Sequence, residues 1–246
     1  NSQSIQIPFS VVLEKSPGLS NARNKGFSES RYEIALMVDD DNSLAPNYVE
    51  GIFRAFEGKT NIGMAGGLGV AALDANAPQW FDRHASAFAV GSQHTDPNVN
   101  VEHLYGAGLA LRLDALERIR KVGFKSLLSD RTGSNLMSGG DTELCFAFRM
   151  AGYDLKYIPE LTFQHHLPAN RINWKYLRRL YSGFGQSKAY MEAYTAAISE
   201  KPIPNEGRFP FWVDRARFLF VGLIPDLPLL LIAKFKSLEG NDRLLS

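Results

Sequence analysis

YEIALMVDDDN, residues 32–42, sets a continuous apolar run directly against three carboxylates. A run of this length without polar alternation is the signature of a strand buried on both faces of a sheet. The acids behind it need compensation: at an effective dielectric of about 20, two unit charges 4 Å apart repel by roughly 4 kcal/mol. Ligands of open α/β sheets gather at the carboxyl ends of strands, and hard oxygen ligands in a small cluster suit Mg²⁺ or Mn²⁺. Asp39 and Asp41, one residue apart, are expected to face the same side, one toward a ligand and one toward a metal. An Asp-rich turn that caps the next helix through Asn42 or Ser43 explains the same residues equally well.

On either side of this run the pattern alternates between elements. IQIPFSVVLE (5–14) reads as a short strand that enters a loop at KSPG. LSNARNKGFSES (19–30) reads as a helix capped by Ser20 or Asn21, with Ala22, Gly26 and Phe27 on one side. APNYVEGIFRAFEG (45–58) follows as a second helix, with Pro46 near its first turn and Gly58 at its stop. IGMAGGLGVAA (62–72) is the next strand, and this β-α-β-α-β order argues for a sheet with crossover helices. Residues 73–100 are polar and turn-rich, an irregular excursion over the active face. LYGAGLALRLDALERIRKVGF (104–124) gives a glycine turn, a strand and a helix; SGGDTELCFAFRMAGYDLKYIPELTFQHH (138–166) gives a loop, a helix ending at Gly152, and a strand.

Composition narrows the classes. With 246 residues, 45% hydrophobic and 11% aromatic, the chain has ample material for a packed core. The net charge of +1 offers no global case for nucleic acid. The charge is uneven: residues 171–246 carry 12 Lys/Arg against 7 Asp/Glu. The single cysteine, Cys145, excludes an internal disulfide framework and fits a reducing, cytoplasmic compartment. No charged, apolar and small-residue series of a signal peptide opens the sequence. FLFVGLIPDLPLLLIAKF (218–235) is the most apolar stretch, but Pro225, Asp226 and Pro228 interrupt it. It reads as a helix pair packed on the domain, or as a monotopic contact whose basic flanks meet anionic lipid at the inner membrane face. Homo-oligomerisation through the same extension is a third use.

Several segments carry candidate chemistry. Gly18 permits a close loop, the helix start after it offers free N–H groups to an anion, and Arg23 adds a cation suited to a diphosphate. Taken alone, Arg23 and Asn24 could equally brace the loop. Gly139 and Gly140 let backbone approach a ligand, and Asp141 and Glu143 open the following helix. Asp141 is either a helix cap or a general base toward an attacking hydroxyl. His165, at a strand end, is either structural or a metal ligand, whereas His84, His94 and His103 show no ligand spacing.

In order, GLSNARNKG, LMVDDDN, LYGAGLALR, GGDTELCFAFRMAGY and LTFQHH resemble the motif series of the inverting GT-A fold glycosyltransferases called family 2, over about residues 5–168. The resemblance implies an α/β, GT-A (Rossmann-like) nucleotide-diphospho-sugar transferase sheet over residues 1–170 and a basic helical extension over 171–246. It implies a nucleotide-diphosphate sugar donor, a glycan or lipid-linked acceptor, and Mg²⁺ or Mn²⁺ as cofactor, in cell-surface polysaccharide or glycolipid synthesis. By the same resemblance Asp39 contacts the nucleotide, Asp41 and His165 hold the metal, and Asp141 is the catalytic base. Arg23 and Asn24 match the loop near the nucleotide; Gly106 and Gly108 match the segment beneath donor sugar and acceptor. There are two departures. Gly140 stands where the family usually carries an acid, so an acceptor-orienting carboxylate is missing unless Glu143 substitutes. The family's opening βαβ unit has no counterpart near Asn1, so the chain is expected to be an N-terminally truncated piece of a longer enzyme. A non-catalytic nucleotide-sugar-binding module is the competing reading.

Overall fold

The computed structural model describes residues 8–96, 99–128 and 138–198. The apolar segment 218–235 and its basic flanks lie outside the described residues. No helix among the described residues is long and apolar enough to cross a membrane.

Helix α1 (Leu19–Glu29) precedes two short strands, β1 (Ile34–Leu36) and β2 (Asn42–Leu44). Helix α2 (Tyr48–Phe56) and the long strand β3 (Ile62–Leu73) follow. After the short helix α3 (Phe81–His84) come β4 (Ala110–Arg112), α4 (Leu113–Lys121), α5 (Gly140–Met150), β5 (Asp154–Leu167) and α6 (Trp174–Ile198). The strands form one mixed sheet in the order β1-β4-β3-β5-β2. Among the described residues only β3 and β5 run parallel; every other strand pairing there is antiparallel. The expected α/β layering is therefore present, but the sheet is mixed rather than a run of parallel crossovers.

The two sides of β3 bury different clusters, because successive side chains alternate across a strand. Met64 joins Leu109, Leu111 and Phe148 beneath α4 and α5. Ala65 joins Tyr48, Ile52, Phe56 and Phe163 beneath α2. A third cluster, with Phe81, Phe88, Leu167, Leu177 and Leu180, lies under α6. The segment 73–96 thus holds more order than its composition suggests: α3 and the 3-10 turn after it, Ala85–Phe88, pack their aromatic side chains on α6. Trp80 and Trp174 meet edge to face at 5.5 Å. β3 and β5 lose register between Gly67 and Leu68, which pair with Ile158 and Thr162. Pro159 lies in the extruded segment, where a residue without an N–H interrupts no ladder.

Three expectations change. The described part of 5–14, from Pro8 onward, forms no strand. Helix α1 is capped at Gly18, with φ of 127°, not by Ser20 or Asn21; Ser20 Oγ instead donates to the Leu128 carbonyl at 3.1 Å. The apolar run at 32–40 is a strand for only three residues, all half-buried. β1 has a single neighbour, β4, among the described residues, so it is not buried on both sides. Beyond Leu36 the chain turns, and residues 37–41 carry it from one edge of the sheet to the other, where Asn42 begins β2.

Candidate active site

That edge-to-edge passage builds the site. Met37 still donates to the Leu109 carbonyl at 2.8 Å, but Asn42 closes a turn onto the Asp39 carbonyl at 3.0 Å. The β2–β5 register then sets Asn42 opposite His165, and the His166 N–H binds the Asp41 carbonyl at 2.8 Å. Two motifs more than a hundred residues apart are thereby joined by backbone hydrogen bonds. Asp39, Asp40, Asp41 and His165 all line one cleft of about 560 Å³. His166 turns elsewhere, with Nε2 at 3.0 Å from Ser43 Oγ.

His165 Nδ1 donates to the Phe88 carbonyl at 2.6 Å, which fixes the ring and its tautomer. Nε2 then faces Asp41 Oδ2 at 3.5 Å. The same oxygen accepts a 2.7 Å hydrogen bond from Arg171 Nη1. Burial pushes the Asp41 carboxyl up, but the Arg171 bond and the adjacent His165 outweigh it and hold the group below its usual value. Arg171 shows the mirror effect: burial lowers its pKa, while the bond to Asp41 and the nearby acids raise it further.

Asp141 lines the same cleft from the first turn of α5, half-buried. Its Oδ2 accepts the Gly106 N–H at 2.8 Å and its Oδ1 the Thr142 N–H at 2.9 Å. Gly106 is where two functional side chains crowd the backbone. A methyl group there would stand 2.7 Å from Arg23 Nη2 and 2.9 Å from Asp141 Oδ2. Only glycine leaves both side chains in place. Helix α6 closes the cleft with Phe184, Ser187, Lys188 and Met191.

The structure thus gathers Arg23, Asp39, Asp41, Gly106, Asp141 and His165 around one cavity. It does not bring two other candidates there. Asn24 Oδ1 accepts from Arg120 at 2.6 Å and lines an adjoining cleft between α1 and α4. Gly108 is buried, with φ of 68°, and its carbonyl accepts the Tyr48 hydroxyl at 2.7 Å. Glu143 does not substitute for the acid missing at 140. It is fully buried, and its carboxylate accepts from Ser126 Oγ, the N–H groups of Leu127 and Leu128, and Tyr194 Oη. It clamps α5 to the preceding loop and to α6. Arg171 and Lys188 escaped the reading of the sequence. Their only advance signal was basic character after a strand-terminal histidine, which a solvated helix face shares.

Among the described residues, no three or more His, Cys, Asp or Glu side chains form a group that could hold a metal ion. The Asp41–His165 pair nevertheless suits a divalent cation of the Mn²⁺ or Mg²⁺ kind. It offers one carboxylate oxygen and one imidazole nitrogen on a ring whose Nδ1–H is held by a backbone carbonyl. Such an ion completes its shell with substrate phosphates and water.

Comparison with known proteins agrees with the sequence motifs. Among curated proteins, a glucosyl-dolichyl phosphate glucuronosyltransferase from Haloferax volcanii is 23% identical over 201 residues. The match covers 78% of this chain and 62% of that one, so the chain spans under two thirds of the relative's length. Two solved structures are similar. The mannosyltransferase PcManGT from Pyrobaculum calidifontis, in complex with GDP-Man and Mn²⁺, has a TM-score of 0.46 and 15% identity, over 85% of this chain and 60% of that one. GalNAc-T7 with UDP, GalNAc and Mn²⁺ has a TM-score of 0.43 and 13% identity, over 63% and 31% of the two chains. The model of glycosyl transferase family group 2 matches residues 34–233, from β1 through the cleft and α6 and beyond. The chain belongs to glycosyl transferase family group 2.

Proposed function

We propose that the cleft transfers a sugar from a nucleotide-diphosphate donor to an acceptor hydroxyl, with inversion at the anomeric carbon, on a GT-A-type sheet. The observation that carries this reading is the placement of Asp141 and the Asp41–His165 pair around one cavity. Asp41 and His165 would hold a divalent cation, whose chemistry is to neutralise the diphosphate as it leaves. Asp39 contacts the nucleotide, and the Arg23 guanidinium supplies positive charge for the diphosphate. Asp141 takes the proton of the acceptor hydroxyl as that oxygen bonds to the anomeric carbon. The bond to the diphosphate breaks on the opposite face and its electron pair leaves with the diphosphate. The Gly106 N–H orients Asp141 and leaves its remaining lone pairs for an acceptor hydroxyl, which general-base catalysis requires at hydrogen-bond distance. The relative's name, with its dolichyl phosphate, supports a lipid-linked acceptor.

A nucleotide-sugar-binding module without turnover is favoured by one observation, Gly140 in place of an acid with Glu143 already committed elsewhere. Asp141→Asn separates the two. Transfer should be abolished while metal-dependent nucleotide binding, read by calorimetry, stays within a few-fold of wild type. Unchanged turnover in that variant would sink the assignment of the base.

A further inference from the structure

We propose that Arg171 makes occupation of the Asp41–His165 pair by a divalent cation conditional on the donor's diphosphate. The inference rests on the reading of the cleft as a nucleotide-sugar site. Its starting point is competition for a single atom. Asp41 Oδ2 accepts Arg171 Nη1 at 2.7 Å and faces His165 Nε2 at 3.5 Å, while Oδ1 accepts Asn42 Nδ2 at 3.2 Å, so the guanidinium holds the carboxylate oxygen that faces His165. The three groups are fixed from three directions. Asp41 is tied through its carbonyl to the His166 N–H, His165 through Nδ1 to Phe88, and Arg171 through its own N–H to the Pro168 carbonyl at 2.8 Å.

A guanidinium keeps its charge at any accessible pH. A divalent cation on Oδ2 and Nε2 would therefore sit against a fixed positive charge, and the free ion is disfavoured. A nucleoside diphosphate reverses that balance. It brings enough negative charge for both cations, and its oxygens match the planar fork of arginine better than they match a lysine. Arg171 then exchanges the carboxylate for a phosphate, and Oδ2 becomes available. Arg171 is a positioning residue in this scheme: it acts through Asp41 and the diphosphate rather than on the sugar. The consequence is that cation and nucleotide enter with strong positive coupling, which is reciprocal by linkage.

The test is Mn²⁺ titration followed by electron paramagnetic resonance, on the full chain, with and without GDP or UDP. Wild type should bind Mn²⁺ weakly alone and far more tightly with the nucleotide. Arg171→Gln should bind Mn²⁺ alone about tenfold more tightly, and its Mn²⁺-dependent nucleotide affinity should fall about tenfold, so that most of the coupling is lost. Arg171→Lys keeps the charge and should keep weak binding of the lone cation while recovering only part of the nucleotide affinity. A merely structural role would lower both affinities together, and that result overturns the proposal. So does an unchanged Mn²⁺ affinity in Arg171→Gln while nucleotide binding persists, an outcome that leaves the reading of the cleft standing. Absence of any Mn²⁺-dependent nucleotide binding in the wild type would remove that reading, and the inference with it.

Discussion

Replacing Glu143 with Gln tests whether this residue is a clamp or an acceptor-orienting carboxylate. Four donors converge on its two oxygens: Ser126 Oγ at 2.6 Å, Leu127 N at 2.9 Å, Leu128 N at 3.2 Å and Tyr194 Oη at 2.9 Å. This is the acceptor-only pattern of a carboxylate. Gln retains one oxygen and the two donors on it, but turns an NH₂ toward the other two. Hydrogen bonds to a charged group contribute about 1.5–3 kcal/mol each, so losing two should cost about 3–6 kcal/mol. Against a typical domain stability of about 5–15 kcal/mol, that is a large fraction. Urea unfolding followed by tryptophan fluorescence is a suitable assay, because Trp80 and Trp174 pack together at the foot of α6. Tyr194→Phe, which removes one donor of the four, should cost about 1–2 kcal/mol on the same scale. The folded fraction of Glu143→Gln should bind nucleotide normally. A stability loss under about 1 kcal/mol together with collapsed turnover would refute the clamp and restore Glu143 to the acceptor side.

Other consequences follow from the same geometry. Gly106→Ala pushes a methyl against Arg23 and Asp141, so kcat/KM should fall by about 10²-fold while the melting temperature barely moves. Tyr48→Phe strands the buried Gly108 carbonyl and Gly67 N–H that its hydroxyl joins at 2.7 and 3.0 Å, and should cost about 2–4 kcal/mol in chemical denaturation. Cys145 is fully buried and its thiol is pushed up to about 12, so Ellman's reagent at pH 8 should label it only as fast as the protein unfolds. Asp41 has a folded pKa below its ordinary 3.8, so its contribution to stability is complete above that value and is lost only as pH falls through the lower folded one. Acid unfolding of Arg171→Gln should therefore begin at higher pH than that of wild type.

Much of this fold was legible because hydrophobic period and glycine punctuation are local signals. Helix α2 starts after Pro46 and stops before Gly58, and β3 and α5 appear close to where their patterns place them. The run at 32–40 departs from its apolar pattern for a physical reason. An apolar strand looks the same whether it has one neighbour or two, and β1 has one among the described residues. The cap of α1 is Gly18 rather than Ser20 because Ser20 has a tertiary partner, Leu128, that no local rule specifies. Glu143 looked like Asp141 in sequence, two acids at one helix start. Their side chains leave the helix in different directions, one toward the cleft and the other into the core.

By itself, the sequence determined which residue types were available and in which local elements: an acidic strand exit, a glycine-led basic helix, an acid at a helix start and a strand-terminal histidine. These follow from backbone propensity and periodicity, which act over a few residues. The tertiary structure alone decided who meets whom. Asn42 opposite His165 is a matter of β register, and register depends on the whole sheet. The bond from Arg171 to Asp41 spans 130 residues and exists because a turn after β5 faces the passage between β1 and β2. Such pairings leave no periodic trace in the chain, since their distances are set by the packing of distant segments.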